Sequence, residues 1–269
     1  MPLFRRRGDL RSAYGPWALI AGASSGLGAE FARQIAAAGL NLILVARRAE
    51  PLQELAASLR EAHRIEVRTA SIDLGAPDLL DRVRACAEGL EVGLLVYNAA
   101  YSCIGPFLQQ SLEDKLRMLD VNCRGPVVLA HELGGAMAAR KRGGIILMSS
   151  MAGLQGAPMV ATYGATKAFD RVLAEGLWDE LRAEGVDVLA CCAGATRTPT
   201  YESSKPVENP PIMMESEPVV KESLLALGRT PSFVPGVANR AAAFVMERLF
   251  PRSAAVRTMG KATRKMYGL

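Results

Sequence analysis

The sequence predicts an α/β fold: one doubly wound parallel sheet with helices on both faces, closed by a C-terminal lid and tail. Three observations predict it. Apolar runs of strand length alternate strictly with helical patterns along residues 17–192, and that alternation marks βαβ units with right-handed crossovers. A glycine turn joins the first run to the first helix. Half of the 269 residues are hydrophobic yet only 6% are aromatic, which suits Val, Leu and Ile strands covered on both faces by Ala-rich helices.

The elements follow in order. Residues 17–21 form an apolar strand that runs into Gly22-Ala-Ser-Ser-Gly-Leu-Gly28. Residues 29–38 then carry Phe31, Ile35 and Ala38 at helical spacing, with Gly39 as C-cap. Strand, glycine turn and helix together make a phosphate cradle. Gly22 permits the tight turn, Gly26 lets a pyrophosphate approach the backbone, and Gly28 lets helix pack on strand; the helix N-terminus adds N–H groups and partial positive charge. Ser24, Ser25 and Leu27 complete the candidate cofactor turn.

The second strand, 41–46, ends at Arg47-Arg48, and no acid lies between Gly39 and Ala49. A dinucleotide without a 2′-phosphate calls for a carboxylate there, whereas guanidinium groups suit the phosphate, so NADP(H) is the expected cofactor. For Arg48, plain solvation of a surface turn competes with that role. A helix at 51–62, a strand at 65–72, a helix at 77–87 and a strand at 92–97 come next. Residues 111–140 read as one long helical region softened at Gly125-Pro126. The strands 144–149 and 186–192 bracket a further helix.

That further helix carries the chemistry. Tyr163 and Lys167 stand four apart, on one helical face, with Ser149-Ser150 upstream. A neighbouring cation favours phenolate, which lets a tyrosine exchange a proton nearer neutral pH.

In these motifs the chain resembles the short-chain dehydrogenases/reductases over nearly all of residues 16–200, in a branch similar to 3-ketoacyl-CoA and 17β-hydroxysteroid reductases. The resemblance implies a Rossmann-like fold and a catalytic tetrad of Asn122, Ser150, Tyr163 and Lys167. Ser150 is chosen over Ser149 because its offset from Tyr163 fits the family. Asn122 would position a water that feeds protons to Lys167. Asp73 and Leu74 would contact adenine, Asn98 and Ala99 follow the fourth strand, and Gly194, Thr196 and Thr198 would hold the carboxamide end of the cofactor. Tyr163 and Lys167 would also touch the cofactor. A homo-oligomer and an apolar ketone or secondary alcohol (3-ketoacyl, steroid-like or polyketide-like) are implied.

The chain departs from the family at Ala21, Tyr97, Ala100 and Ala193, where Thr, Asn, Gly and Pro are usual. Loss of the Thr and Asn side chains would remove hydrogen bonds from the nucleotide turn, each worth roughly 1 kcal/mol. These departures motivate one rival reading, an idle NADP(H)-binding sensor or scaffold. A second rival, a membrane- or carrier-docking protein, comes from the tail.

Residues 248–269 hold six Lys or Arg and no acid in a chain of net charge +5. Arg257, Lys261 and Arg264 fall on one stripe, with Val256, Met259 and Met266 near the opposite side. The stripe fits an anionic membrane, an acidic carrier or a coenzyme A phosphate; packing on a neighbouring subunit or solvating its own surface is the more common role of such a segment. No basic face with interleaved aromatics points to nucleic acid. Seven of the fifteen prolines lie in residues 199–235, which reads as a substrate lid over a single domain spanning 1–269. Methionines 213 and 214 suit either a mouldable lid or ordinary core filling.

The five cysteines lack ligand spacing and read as buried thiols, no metal site is expected, and His63 and His131 read as surface or cap residues. Arg5 to Arg7 before the apolar 17–23 superficially resemble a leader, but the glycine motif overlaps that stretch. A cytoplasmic protein is expected.

Overall fold

A computed structural model describes residues 10–269; Arg5 to Arg7 lie outside them. Seven parallel strands form one sheet in the order β3-β2-β1-β4-β5-β6-β7. They are β1 (Trp17–Ala21), β2 (Asn41–Ala46), β3 (Val67–Ser71), β4 (Val92–Tyr97), β5 (Gly143–Ser150), β6 (Val186–Ala193) and the two-residue β7 (Ser232–Phe233). The chain winds outward from β1 to β3, then returns to β4 on the other side of β1. That reversal opens a crevice at the strand ends between β1 and β4, where α/β sheets bind ligands.

Alternation along β1 builds two cores. Ala18 and Ile20 face the layer of α1 (Leu10–Tyr14), α2 (Gly26–Ala37) and α3 (Ala49–His63). Trp17, Leu19 and Ala21 face the layer of α4 (Leu79–Ala87), α6 (Gly125–Ala139) and α7 (Ala161–Arg182). Since every residue of β1 is buried, the strand reads as a continuous apolar run rather than an alternating one.

Two predicted elements differ in detail. The helical region 111–140 divides into α5 (Leu112–Leu119), a π-turn (Asp120–Arg124) and α6. The break precedes the expected Gly125-Pro126. Proline supplies no amide at position 126, so the preceding turn widens to i→i+5 bonding, with Gly125 N–H donating to the Asp120 carbonyl. Beyond β6, residues 199–235 resolve into α8 (Pro199–Ser203), α9 (Ser216–Ala226) and β7. Val219, Val220 and Ala226 on α9 are buried in the core, while Pro199, Thr200 and Ser203 line the crevice.

α10 (Val237–Phe244) leads through a second π-turn (Val245–Leu249) to α11 (Arg252–Tyr267). The basic tail is thus a helix, and it packs on its own chain. Among the described residues no helix is long and apolar enough to cross a membrane. Cys191 and Cys192 are buried, while Cys86, Cys103 and Cys123 are half-buried.

Candidate active site

The glycine turn fits against the end of β4 with no room to spare. Gly22 sits at φ 87°, and a Cβ there would fall 2.7 Å from the backbone of Ala99. A Cβ on Gly28 would lie 2.0 Å from the Gly22 carbonyl. Gly22 is fixed by its amide, donating to the Val45 carbonyl at 2.7 Å, and by Asn98 Nδ2, donating to the Gly22 carbonyl at 3.0 Å. Ser25 precedes α2, whose first turn contains no acid. The helix therefore offers its N–H groups and positive end unopposed.

A cleft of about 690 Å³ opens above this turn. Gly22, Ser24, Ser25, Gly26 and Leu27 form its floor; Arg47 and Arg48 stand at one end and Asp73, Leu74, Asn98 and Ala99 along a wall. Gly28 lies beneath as packing. Arg47 and Arg48 are exposed, and Arg48 reaches back to Ser24 Oγ at 3.5 Å.

Sequence reasoning missed Arg117, which also lines the cleft. Its guanidinium bonds both oxygens of Asp73, at 3.0 and 2.8 Å, and lies 5.8 Å from the centre of the Tyr101 ring. Burial disfavours ionisation of Asp73, but Arg117 and the Gly75 amide outweigh it and hold the carboxyl below its ordinary value. Tyr101 in turn donates to Asp114 at 2.6 Å, which pushes its hydroxyl up to about 12. The only sequence signal for Arg117 was its place five residues before Asn122, which no motif marks.

Beyond this cleft Ser150 ends β5, Tyr163 and Lys167 lie on α7, and Asn122 sits in the π-turn. Ser149 is spent: its hydroxyl donates to the Lys167 carbonyl at 2.6 Å. Ser150 accepts from the Ala152 amide at 3.1 Å, so its own O–H remains to donate. The turn after Ser150 lies directly on α7. A Cβ on Gly153 would meet the Ala168 amide at 2.6 Å, and one on Gly164 the Ala152 carbonyl at 2.9 Å. Those two glycines let Ser150 approach the stretch of α7 that carries Tyr163 and Lys167.

Lys167 Nζ lies 5.9 Å from the centre of the Tyr163 ring. It is buried and donates to the Met148 carbonyl at 2.7 Å and Asp170 Oδ2 at 2.9 Å. Burial opposes its charge, but Asp170 first and Tyr163 second keep the ammonium above its ordinary value. Two of its three N–H groups are thus committed to the interior.

Asn122 is buried, and its side chain is bonded on both its oxygen and its nitrogen. In the π-turn its Oδ1 accepts from the Tyr101 amide at 2.7 Å, while Nδ2 donates to the Tyr101 carbonyl at 2.8 Å and to Thr166 Oγ1 at 3.0 Å. Its side chain therefore ties the segment after β4 to α7.

On the far side, Thr198 lines the cleft and caps α8 through Tyr201 N–H at 3.1 Å, its methyl pressed against Gly26. Gly194 and Thr196 lie outside the cleft walls. A Cβ on Gly194 would strike Asn239, and the buried Thr196 donates to the Gly194 carbonyl at 3.1 Å. They support the segment that carries Thr198.

α11 spans the two rims beyond. Arg252 donates to the Leu154 carbonyl at 2.9 Å, and Gly260 rides on Pro158. At its other end the Met266 carbonyl accepts from Val207 at 2.8 Å, and Lys265 pairs with Glu208 at 2.9 Å.

The departures at Ala21 and Tyr97 leave the nucleotide turn tied, through Val45 and Asn98 as above. Tyr97 makes a different bond, donating to the Val121 carbonyl at 2.6 Å. Gly125 makes the space, since a Cβ there would lie 2.1 Å from that hydroxyl.

Comparison with known proteins agrees with this arrangement. A 7beta-hydroxysteroid dehydrogenase from Collinsella aerofaciens is 34% identical over 237 residues, covering 86% of this chain and 90% of that one. A structure solved to explain 7beta-hydroxysteroid dehydrogenase stereoselectivity superposes with a TM-score of 0.88 at 32% identity, covering 94% and 99% of the two chains. A short-chain dehydrogenase from Sphingobium yanoikuyae in complex with NADPH gives 0.77 at 32% identity, covering 87% and 94%. The family model described as short chain dehydrogenase matches residues 16–209. With fold, glycine turn and Ser-Tyr-Lys group in place, the chain belongs to the short-chain dehydrogenases and is an oxidoreductase.

Proposed function

We propose that the protein transfers hydride between NADP(H) and a bulky apolar ketone or its secondary alcohol, of steroid-like rather than small polar type. The observation that carries the chemistry is the shared position of Tyr163, Lys167 and Ser150 beside a glycine cradle that any side chain would fill. The cradle fits a dinucleotide: the glycine turn and the start of α2 would receive the pyrophosphate, Arg47 and Arg48 a 2′-phosphate, and Asp73, Leu74 and Arg117 the adenine end. NADP(H), when bound, supplies or accepts the hydride.

The chain's own groups handle the oxygen. Ser150 donates a hydrogen bond to the carbonyl oxygen and polarises it, a contact that strengthens as negative charge develops. Tyr163 gives its phenolic proton to that oxygen in reduction and takes it back in oxidation. Lys167, kept as an ammonium, stabilises the phenolate. Thr198 and residues 199–214 close the substrate side, and α11 joins that segment to residues 154–158. The names of the steroid-active relatives support a large apolar substrate.

Tyr163→Phe tests the reading. A loss of roughly 10²–10⁴-fold in kcat, with NADPH affinity unchanged, is expected against a panel of bulky ketones; retained activity would remove Tyr163 from the mechanism. Arg47→Asp checks the cofactor choice, with loss of preference for NADPH over NADH as the expected result in binding titrations.

A further inference from the structure

Asp170 is a carboxylate where a helix facing the core would ordinarily place an apolar side chain. It stands three residues after Lys167 on the same face of α7 and is 1% exposed. One oxygen accepts from Lys167 Nζ at 2.9 Å. The other, Oδ1, is buried without a hydrogen-bond partner among the described residues. Buried polar atoms left unpaired are rare, and one beside the proton-transfer pair calls for a reason. Packing alone does not supply it, because an apolar residue of similar volume would fill the space without the desolvation of two charges.

Three structural elements face the carboxylate. Lys167 comes from α7, Tyr97 from β4, and Cys123, with Arg124 beyond it, from the π-turn. Burial pushes the Tyr97 hydroxyl and the Cys123 thiol upward, the latter to about 11. Both are therefore neutral near pH 7, and Asp170 supplies the negative charge beside the ammonium.

We propose that Asp170 is a positioning residue for the Tyr163–Lys167 pair: with the Met148 carbonyl it holds two N–H groups of Lys167, and its charge keeps that buried amine an ammonium beside the phenol. The proton-transfer group is then a triad rather than a pair. The inference rests on the reading of Tyr163 as proton donor and acceptor. Its consequence has a definite sign. Asp170→Asn removes the negative charge but keeps an oxygen for Lys167, so burial is left to disfavour the ammonium and the cation that favours phenolate is weakened.

The experiment is the pH profile of kcat/KM for alcohol oxidation, which needs phenolate and so rises through the tyrosine pKa. In Asp170→Asn the rising limb is expected to move about one pH unit toward alkali, while near-ultraviolet circular dichroism keeps the native signature. Asp170→Ser, smaller and also neutral, shifts it in the same direction and serves if the Asn variant does not fold. A limb that stays in place in a folded variant, or moves toward acid, overturns the proposal, as does a loss of rate equal at every pH. Failure of the underlying reading looks different: Tyr163→Phe would then retain activity, whatever the position of the limb.

Discussion

At the scale of single residues, Arg117 makes the most specific demand. It grips Asp73 in a fork while lining the same cleft, so replacing it should disturb the adenine end and leave the phosphate end alone. Arg117→Ala is expected to weaken NADPH and NADH alike, by about tenfold for a lost charge-assisted fork, as read by cofactor fluorescence. An effect on NADPH alone would assign Arg117 to the 2′-phosphate instead. The ion pair also has a pH signature. Because Asp73 is held below its unfolded value, its contribution is complete above roughly pH 4 and is lost as pH falls through the lower folded value. Both side chains are about one-third exposed, so screening keeps that contribution small. Thermal melts of the wild type and Asp73→Asn should accordingly converge on acidification. What the sequence made legible at this scale was that Tyr163 and Lys167 share one helix, as they do on α7; Ser150 came from the resemblance to the family rather than from spacing alone. What it hid were the partners. The links from Lys167 to Met148 and from Asn122 to Tyr101 join residues 19 and 21 positions apart, and pairing across folded elements leaves no local pattern.

At the scale of elements, the π-turn and α11 are the two features that periodicity could not deliver. A π-turn follows from one missing amide at Pro126, and its position shifts by a few residues according to what the carbonyls find. It also sets Gly125 under the Tyr97 hydroxyl. Gly125→Ala should therefore destabilise the fold by about 1–3 kcal/mol through overpacking, and Tyr97→Phe in the same chain should recover part of the loss in denaturant titrations. The strands were legible because an all-buried parallel sheet leaves unbroken runs of Val, Ile and Leu, and Val92–Tyr97 matches its predicted limits. α11 was legible as an amphipathic stretch but not in its destination, because the same apolar stripe suits a subunit, a membrane or the chain's own rims. Its docking residues are small: Gly260 meets Pro158 and Gly156 meets Val256. Gly260→Val is expected to lift the helix and raise KM for the ketone while NADPH affinity stays constant, a split that steady-state kinetics and binding titration resolve together.

For the whole molecule, one sheet places the cofactor cleft at the β1–β4 reversal and the proton-transfer group one strand further on, at the end of β5. That layout also leaves an outer face uncovered. Leu112, Leu116 and Leu119 of α5 and Phe169 and Val172 of α7 are exposed apolar residues on neighbouring helices. Pairing of this face with a second copy is the expected way to remove it from water. Leu116→Glu combined with Val172→Glu should shift the sedimentation coefficient toward the monomer; an unchanged value would place the contact elsewhere. Finally, the anchoring of α11 bears on how the protein can be handled. Leu269 donates its amide back to the Arg264 carbonyl, and Gly268 rests beside Val207. A purification tag or fluorescent partner fused after Leu269 would begin beside Val207, on the segment proposed to close the substrate side, so fusions at that end should impair turnover of large substrates more than cofactor capture.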